Sequence, residues 1–238
     1  MKVETAMVMA AGLGTRMRPL TNHKPKPLVE VAGIPLIEYA FDKLRLAGVK
    51  NAVVNVHYLP EQVEAYVAEH VSDLDIAISD ERAQLLETGG GLVKALPMID
   101  SDPFFCINSD AIWTDDKVDA LTRMTQAWNA ESMDGLLLLV PRERAFSHRG
   151  SGDFSLDELN RPVRRGSAVE APFVHTGIQL LSRAFLNEAP TGPFSTNILW
   201  DRSIAKGRLF ALEHRGDWFD IGSPAAIAPT EEALRRHG

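Results

Sequence analysis

The chain has 238 residues, of which 45% are hydrophobic and 24% are charged, a composition typical of globular proteins. Its 25 basic and 32 acidic residues give a net charge of −7, which argues against a general nucleic-acid-binding protein because that class needs a basic face. The single cysteine, Cys106, excludes an intrachain disulfide and a cysteine-rich zinc site. The longest strongly apolar run, Leu136 to Val140, is too short to span a bilayer, and the first residues do not resemble a signal peptide. We therefore expect a cytoplasmic protein of one domain, over residues 1–238, with no membrane or nucleic-acid partner.

Strand and helix patterns alternate through the first half of the chain. The predicted strands are Ala6–Met9, Ala52–Val56, Asp75–Ile78, Pro103–Asn108 and Gly135–Val140. The predicted helices are Ile34–Ala47, Pro60 to about His70, Leu92–Leu96 and Asp116–Asn129. Because the strands are continuously apolar, this alternation predicts an α/β fold with a mostly parallel sheet covered by helices on both faces.

The pattern changes after about residue 141. Residues 142–170 are polar and rich in Arg and Gly, with short alternating stretches at 154–156 and 163–164. Beyond them, the sequence predicts a strand over Val174–Leu181, a helix over Asn197–Ala205, a strand over Arg208–Leu212 and a terminal helix over Pro224–Arg236. We therefore expect the two halves of the chain to share one mixed sheet.

The most informative segment follows the first strand and is rich in small and cationic residues. It runs from Met9 to Thr21 (MAAGLGTRMRPLT) and precedes a Pro-Lys-Pro-Leu word at 25–28. Small residues and glycines let backbone N–H groups approach an anion closely. A dinucleotide fingerprint would need glycine at position 17, which is methionine, and neither glycine is followed by the Gly-Lys-Ser/Thr of a P-loop. The cations Arg16, Arg18 and Lys26 lie within eleven residues and suit a triphosphate.

This string resembles the signature of the sugar-phosphate nucleotidyltransferases, which join a nucleoside triphosphate to a sugar 1-phosphate. Further motifs resemble those of that family: Leu86-Glu87-Thr88-Gly89-Gly90-Gly91-Leu92, Asn108-Ser109-Asp110, Gly152-Asp153-Phe154, His175-Thr176-Gly177-Ile178 and Trp218-Phe219-Asp220-Ile221-Gly222-Ser223-Pro224. The usual family word at 108–110 is Asn-Gly-Asp, so Ser109 is a departure. The resemblance implies a Rossmann-like, GT-A-like nucleotidyltransferase fold without the β-helix domain of longer relatives. Its nucleotide-binding half would be about 1–140 and its sugar-phosphate-binding half about 141–238.

The resemblance also implies a role for individual residues. Nucleotide contacts would come from Ala10, Ala11, Gly12, Gly14, Thr15, Arg16, Lys26, Glu87, Gly90, Gly91 and Asn108. The catalytic residues would be Arg16, Lys26 and Asp110, and Mg²⁺ held by Asp110 and Asp220 would bridge the α-phosphate and the nucleophile. The sugar would contact Asn108, Asp153, Glu170 and Gly177.

Two local features bear on how the substrates fit. The three glycines at 89–91 stand before the helix predicted at Leu92 and would leave room for a flat ring against the backbone. Many family members carry a lysine near residue 170 that pairs with the sugar phosphate, and here there is none. That charge would be met by Arg149, Arg164 or Arg165, or chiefly by the metal.

The choice of substrates depends on resemblance alone. The words at 86–91, 94–97 and 152–154 resemble those of the branch that transfers a uridylyl group from UTP to N-acetylmuramate α-1-phosphate in peptidoglycan recycling. The same branch also includes enzymes similar to mannose-1-phosphate guanylyltransferases, and this activity is the alternative function. The Arg-Pro-Leu-Thr and Pro-Lys-Pro words disfavour a cytidylyl- or molybdopterin-type transferase, and the full set of cations and aspartates disfavours a non-catalytic nucleotide sensor. We expect UTP as the preferred nucleotide and a monomer or small homo-oligomer.

Overall fold

The computed structural model describes residues 1–237 as an α/β fold. Its strands are β1 (Thr5–Met9), β2 (Glu30–Val31), β3 (Ile34–Pro35), β4 (Asn51–Val56), β5 (Asp75–Asp80), β6 (Phe104–Asn108), β7 (Ala111–Trp113), β8 (Gly135–Pro141), β9 (Ala145–Phe146), β10 (Phe154–Leu156), β11 (Pro162–Arg164), β12 (Phe173–Leu181), β13 (Leu209–Glu213) and β14 (Trp218–Asp220). Its helices are α1 (Leu36–Leu46), α2 (Pro60–His70), α3 (Glu87–Ala95), α4 (Ala120–Ala127), α5 (Asn197–Ala205) and α6 (Ile227–His237). Over the described range, no helix is long and apolar enough to cross a membrane.

One large sheet runs through both halves of the chain. Within residues 1–237 it has nine strands. Seven follow the order β11-β10-β12-β6-β1-β4-β5, and the other two are β8, which pairs with β12, and β13, which pairs with β8. The neighbours β6, β1, β4 and β5 are parallel, whereas β12 runs antiparallel to β6 and β8. The prediction of a mixed, mostly parallel sheet is confirmed.

Helices cover both faces of this sheet, as the continuously apolar strands predict. Ala6 and Val8 of β1 pack in a core that includes residues of α1, α2 and α4. Met7, between them, packs in a second core with residues of α3 and α5. Successive side chains of a strand point to opposite faces, so β1 is buried on both sides.

The large sheet holds strands of both halves of the chain, as predicted, and two small sheets that the sequence did not predict lie outside it. β2 and β3 form a hairpin, so α1 begins at Leu36 and not at Ile34. The second small sheet has the order β7-β14-β9. Its strands have only two or three residues, too few for an alternating pattern to be recognised in the sequence.

The helix predicted from Leu92 starts five residues earlier, at Glu87, so the three glycines lie inside α3. A Cβ atom on Gly89 would lie 2.2 Å from the Phe194 ring, and one on Gly90 would lie 2.5 Å from the Gly192 carbonyl oxygen. The glycines therefore allow α3 to pack closely against the 192–194 segment.

Two other helices are shorter than predicted. α4 begins at Ala120 and not at Asp116, because Asp119 caps it: its Oδ1 accepts a hydrogen bond from the Thr122 N–H at 2.8 Å. α4 ends at Ala127, before the extended residue Trp128. The terminal helix begins with a 3-10 turn over 224–226, and α6 follows it.

β12 contains an irregularity that matters for the site. Its register against β8 shifts between His175 and Gln179, and Gly177 between them has a φ of +80°. The His175 ring packs edge-on against Trp200, with 4.6 Å between ring centroids. Burial lowers the pKa of His175 from its ordinary value of 6.5 to about 4.

This depressed pKa predicts a pH dependence of stability. Between about pH 6.5 and pH 4 the unfolded chain takes up a proton at His175 and the folded chain does not. The free energy of unfolding should therefore fall by about 3 kcal/mol as the pH drops through this window. Urea unfolding at pH 7.5 and pH 4.5 measures it, and His175→Phe should reduce the difference. An unchanged difference in that variant would contradict the assignment.

Candidate active site

The carboxyl ends of β1, β4 and β6 lie at one edge of the large sheet and contribute residues to a cleft of about 400 Å³. Six of the residues predicted to bind nucleotide line it: Ala10, Ala11, Gly12, Lys26, Glu87 and Asn108. An adjoining space of about 370 Å³ is lined by Gly14, Thr15 and Arg16, and it shares Gly12, Lys26 and Asp110 with the cleft. Gly90 and Gly91 do not line either space, because they are buried within α3.

The Gly-rich loop after β1 is held open by its own hydrogen bonds. Gly14 has a φ of +61°, a left-handed conformation that favours glycine. The Thr21 hydroxyl donates to the Gly14 carbonyl oxygen at 2.8 Å. The buried Met17 side chain anchors the following turn in the core, while Arg16 stays exposed beside it. Ala11 and Gly12 of this loop line the cleft, and Arg16 lines the adjoining space.

A buried polar network, which the sequence analysis missed, fixes two sides of the cleft. Asn55 Oδ1 accepts a hydrogen bond from the Ala10 N–H at 2.7 Å, and Asn55 Nδ2 donates to Glu81 Oε1 at 2.7 Å. The other oxygen of Glu81 accepts from the Leu86 N–H at 3.1 Å, and Glu81 is fully buried. Asn55 and Glu81 therefore tie the Gly-rich loop to the start of α3. A polar Asn within the apolar strand 52–56 was the available signal.

The β7–β14 pairing brings the two predicted metal-binding aspartates close in the backbone. Asp220 lies opposite Ala111, the residue after Asp110. Asp110 forms an ion pair with Lys26, and Asp220 Oδ2 lies 3.3 Å from Nδ1 of His148. Within residues 1–237, no group of three or more His, Cys, Asp or Glu residues could hold a metal. Two carboxylates fit Mg²⁺, which takes its remaining ligands from substrate phosphates and water.

Among the predicted sugar contacts, Gly177 and Asn108 lie together, whereas the side chains of Asp153 and Glu170 have other partners. Asp153 Oδ2 accepts a hydrogen bond from the His175 N–H at 2.9 Å, so its carboxylate holds the start of β12. The Glu170 side chain is 61% exposed and pairs with Arg142 at 2.7 Å. Gly177 lies against Asn108, and a Cβ there would be 2.6 Å from Asn108 Nδ2.

Of the three arginines considered for the sugar phosphate, only Arg149 faces the site. It lines a space of about 390 Å³ with Arg16, His148 and Asp220. Arg164 is paired with Asp201 at 2.8 Å, and Arg165 donates to the backbone oxygens of Gly152 and Ala168. Of these three arginines, Arg149 is therefore the cation that lies beside Asp220.

Residues 5–148 match the model of the family described as "Nucleotidyl transferase". The chain belongs to this family. The nucleotidyltransferase is 43% identical over 234 residues to an N-acetylmuramate alpha-1-phosphate uridylyltransferase of Caulobacter vibrioides, covering 96% of each chain. It is 34% identical over 229 residues to the enzyme of the same name from Neisseria meningitidis, covering 92% of this chain and 93% of that one. A mannose-1-phosphate guanylyltransferase catalytic subunit of Xenopus tropicalis is 29% identical over 92% of this chain and 61% of its own.

Solved structures confirm the fold of the nucleotidyltransferase. An inositol-1-phosphate CTP transferase from T. maritima superposes with a TM-score of 0.80 at 18% identity, covering 99% of this chain and 96% of its own. A UDP-glucose pyrophosphorylase complexed with UDP-glucose also gives 0.80 at 17% identity, covering 99% of this chain and all of its own.

Lys26 offers a direct test of the anion-binding role of the cleft. Lys26→Met keeps the length of the side chain and removes its charge, and we expect the KM for the nucleoside triphosphate to rise about 10- to 100-fold, since a charge-assisted hydrogen bond contributes about 1.5–3 kcal/mol. Initial rates at varied triphosphate measure it. Lys24→Met is the matched control, because Lys24 is exposed and pairs with Glu30. Equal KM values in the two variants would exclude the role.

Proposed function

We propose that this nucleotidyltransferase transfers uridine monophosphate from UTP to N-acetylmuramate α-1-phosphate, giving UDP-N-acetylmuramate and pyrophosphate. The observation that carries the proposal is the 43% identity, along 96% of both chains, to a uridylyltransferase named for that acceptor. The cleft at the strand ends, which is lined by the Gly-rich loop, Lys26 and Asp110, supports it.

The chemistry required is attack of a sugar-phosphate oxygen on the α-phosphorus, with pyrophosphate leaving. Both reactants are anions, so the protein must first offset their repulsion. Arg16 and Lys26 border the space beside the Gly-rich loop and would neutralise the triphosphate, together with the loop N–H groups. Arg149 would meet the sugar phosphate in place of the missing lysine. No general base is needed, because a phosphate monoester is already ionised near neutral pH.

Mg²⁺ bound by Asp110 and Asp220 would supply positive charge at the α-phosphate. Lys26, which pairs with Asp110 in this structure, could then turn to the triphosphate. The remaining catalytic effect comes from positioning and from groups already aimed at the developing charge.

A substrate matrix tests the proposal. Purified protein with Mg²⁺ is incubated with UTP, GTP, dTTP or CTP against the 1-phosphates of N-acetylmuramate, N-acetylglucosamine, glucose, mannose and heptose, and pyrophosphate is measured. We expect the maximum at UTP with N-acetylmuramate 1-phosphate. A maximum at GTP with mannose 1-phosphate would instead support the guanylyltransferase alternative, which the 29% identity to the Xenopus subunit favours. Nucleotide binding by calorimetry without pyrophosphate release from any pair would indicate a sensor.

A further inference from the structure

A small recess adjoins the cleft, between α3, α5 and β12. Its volume is about 80 Å³, and it shares three lining residues with the cleft, namely Met9, Thr88 and Asn108. Its other walls include His175 and Thr196. Neither side chain takes part in the chemistry described above.

Both of these side chains carry a buried polar atom that has no hydrogen-bond partner among the described residues. They are Nε2 of His175 and Oγ1 of Thr196. Thr196 is 3% exposed, and its N–H donates to the Thr88 hydroxyl at 2.9 Å, which fixes its backbone at the recess. Buried polar atoms are usually paired, because leaving one unpaired costs about 1–3 kcal/mol. Two such atoms in one recess point to a polar group of a ligand.

The recess favours an uncharged group. Burial lowers the pKa of His175 to about 4, so its ring is neutral at pH 7. The nearby Arg164 lies 5.2 Å from the centroid of the Trp200 ring, is paired with Asp201 and does not line the recess. A carboxylate placed here would lack a cation, and burying an unpaired charge is strongly unfavourable.

The volume and the remaining walls of the recess indicate which uncharged group fits it. A single hydroxyl is smaller than the space of 80 Å³, since the share of one water in the liquid is about 30 Å³. Met9, Leu92 and Trp200 supply apolar walls that suit a methyl group. Gln179 accepts a hydrogen bond from Trp200 Nε1 at 2.9 Å, which holds that ring in place.

We propose that the recess binds the N-acetyl group of the acceptor sugar and that His175 and Thr196 determine this specificity. An amide offers one N–H donor and one C=O acceptor. A neutral imidazole and a hydroxyl can meet both, whichever imidazole nitrogen carries the proton. This rests on the proposed function, because the group enters the site as part of the sugar 1-phosphate. A sugar with a hydroxyl at C2 would lack the methyl group that fills the space beside Met9, Leu92 and Trp200.

The test compares two sugar 1-phosphates that differ only at C2, N-acetylglucosamine 1-phosphate and glucose 1-phosphate, with UTP as donor. His175→Phe keeps the ring packed on Trp200, and Thr196→Val keeps the shape and the backbone N–H. Each variant should lower the ratio of kcat/KM for the N-acetylated sugar to that for glucose about tenfold, a loss of about 1.4 kcal/mol. The change should come from a higher KM for the N-acetylated sugar. Ser79→Ala is the control, because Ser79 also has a buried, unpartnered hydroxyl but lines neither the recess nor the cleft.

An equal loss of kcat/KM for both sugars, or an unchanged ratio in both variants, would overturn the role of the recess and leave uridylyl transfer standing. Failure of the wild-type protein to use any sugar 1-phosphate would contradict the proposed function. In that case, calorimetry with UTP present tests separately whether the recess binds the N-acetyl group. Tighter binding of the N-acetylated sugar that is lost in Thr196→Val supports it, and equal or absent binding of the two sugars overturns it.

Discussion

Asp110→Ala and Asp220→Ala are each expected to lower kcat by about 100- to 1,000-fold, equivalent to about 2.7–4 kcal/mol of barrier lowering, the typical effect of removing one preorganised electrostatic group. The β7–β14 pair places the two residues close along the backbone, and their carboxylates are the hard oxygen ligands that Mg²⁺ prefers. Pyrophosphate release at saturating substrates and Mg²⁺ measures the effect.

A loss of activity at Asp110 or Asp220 must be distinguished from a loss of folding. Removing Asp110 also leaves Lys26 without its partner, so isosteric Asp110→Asn should be compared with the alanine variant. Asp116→Ala is the matched control, because Asp116 is an exposed aspartate on the segment that follows β7. Near-normal turnover in both alanine variants would refute the metal assignment.

Glu81→Ala should destabilise the protein and also weaken nucleotide binding. It leaves a buried donor, Asn55 Nδ2, and a part-buried donor, the Leu86 N–H, unpaired. At about 1–3 kcal/mol for each unpaired group, the free energy of unfolding should fall by about 2–6 kcal/mol. The KM for UTP should rise as well, because Asn55 holds the Ala10 N–H at the start of the Gly-rich loop.

Urea unfolding and initial rates measure the two effects of Glu81→Ala. Glu64→Ala is the control, because Glu64 pairs with Arg82 at the surface and such pairs contribute at most about 1 kcal/mol. Glu81→Gln adds a second check. Its amide places a donor where an acceptor is required, so it should destabilise although it keeps the shape. A stable Glu81→Ala protein with unchanged KM would show that the network does not hold the cleft.

The sequence was sufficient to predict the edge of the sheet at which the cleft forms. Loops that follow parallel strands meet at one edge, so the Gly-rich loop after β1 and the 108–110 segment after β6 had to be neighbours. Asn55 and Glu81 could not be placed in the same way. Asn55 is separated from Ala10 by 45 positions in the sequence and from Glu81 by 26, so these hydrogen bonds leave no local sequence pattern.

The glycines at 89–91 show why the start of α3 could not be predicted from local sequence. Glycine is about 1 kcal/mol less favourable than alanine inside a helix, so local propensity argues for a turn there. In the structure, α3 includes them because Gly91 lies too close to Asn55 and Glu81 for a side chain, and because Gly89 and Gly90 lie too close to the 192–194 segment. That segment lies about a hundred residues away along the chain, where no window of sequence could register it.

The antiparallel pairing of β7 with β14 joins residues 111–113 to residues 218–220. It has a consequence for the order in which a newly synthesised chain gains activity. The Gly-rich loop and all four parallel strands that support it are complete by residue 108, whereas the second aspartate arrives more than a hundred residues later. A growing polypeptide therefore contains every strand beneath the Gly-rich loop long before Asp220, whereas Ser195, which also lines the cleft, is added only shortly before it. Ribosome-stalled chains of increasing length should show turnover only after Asp220 has left the exit tunnel.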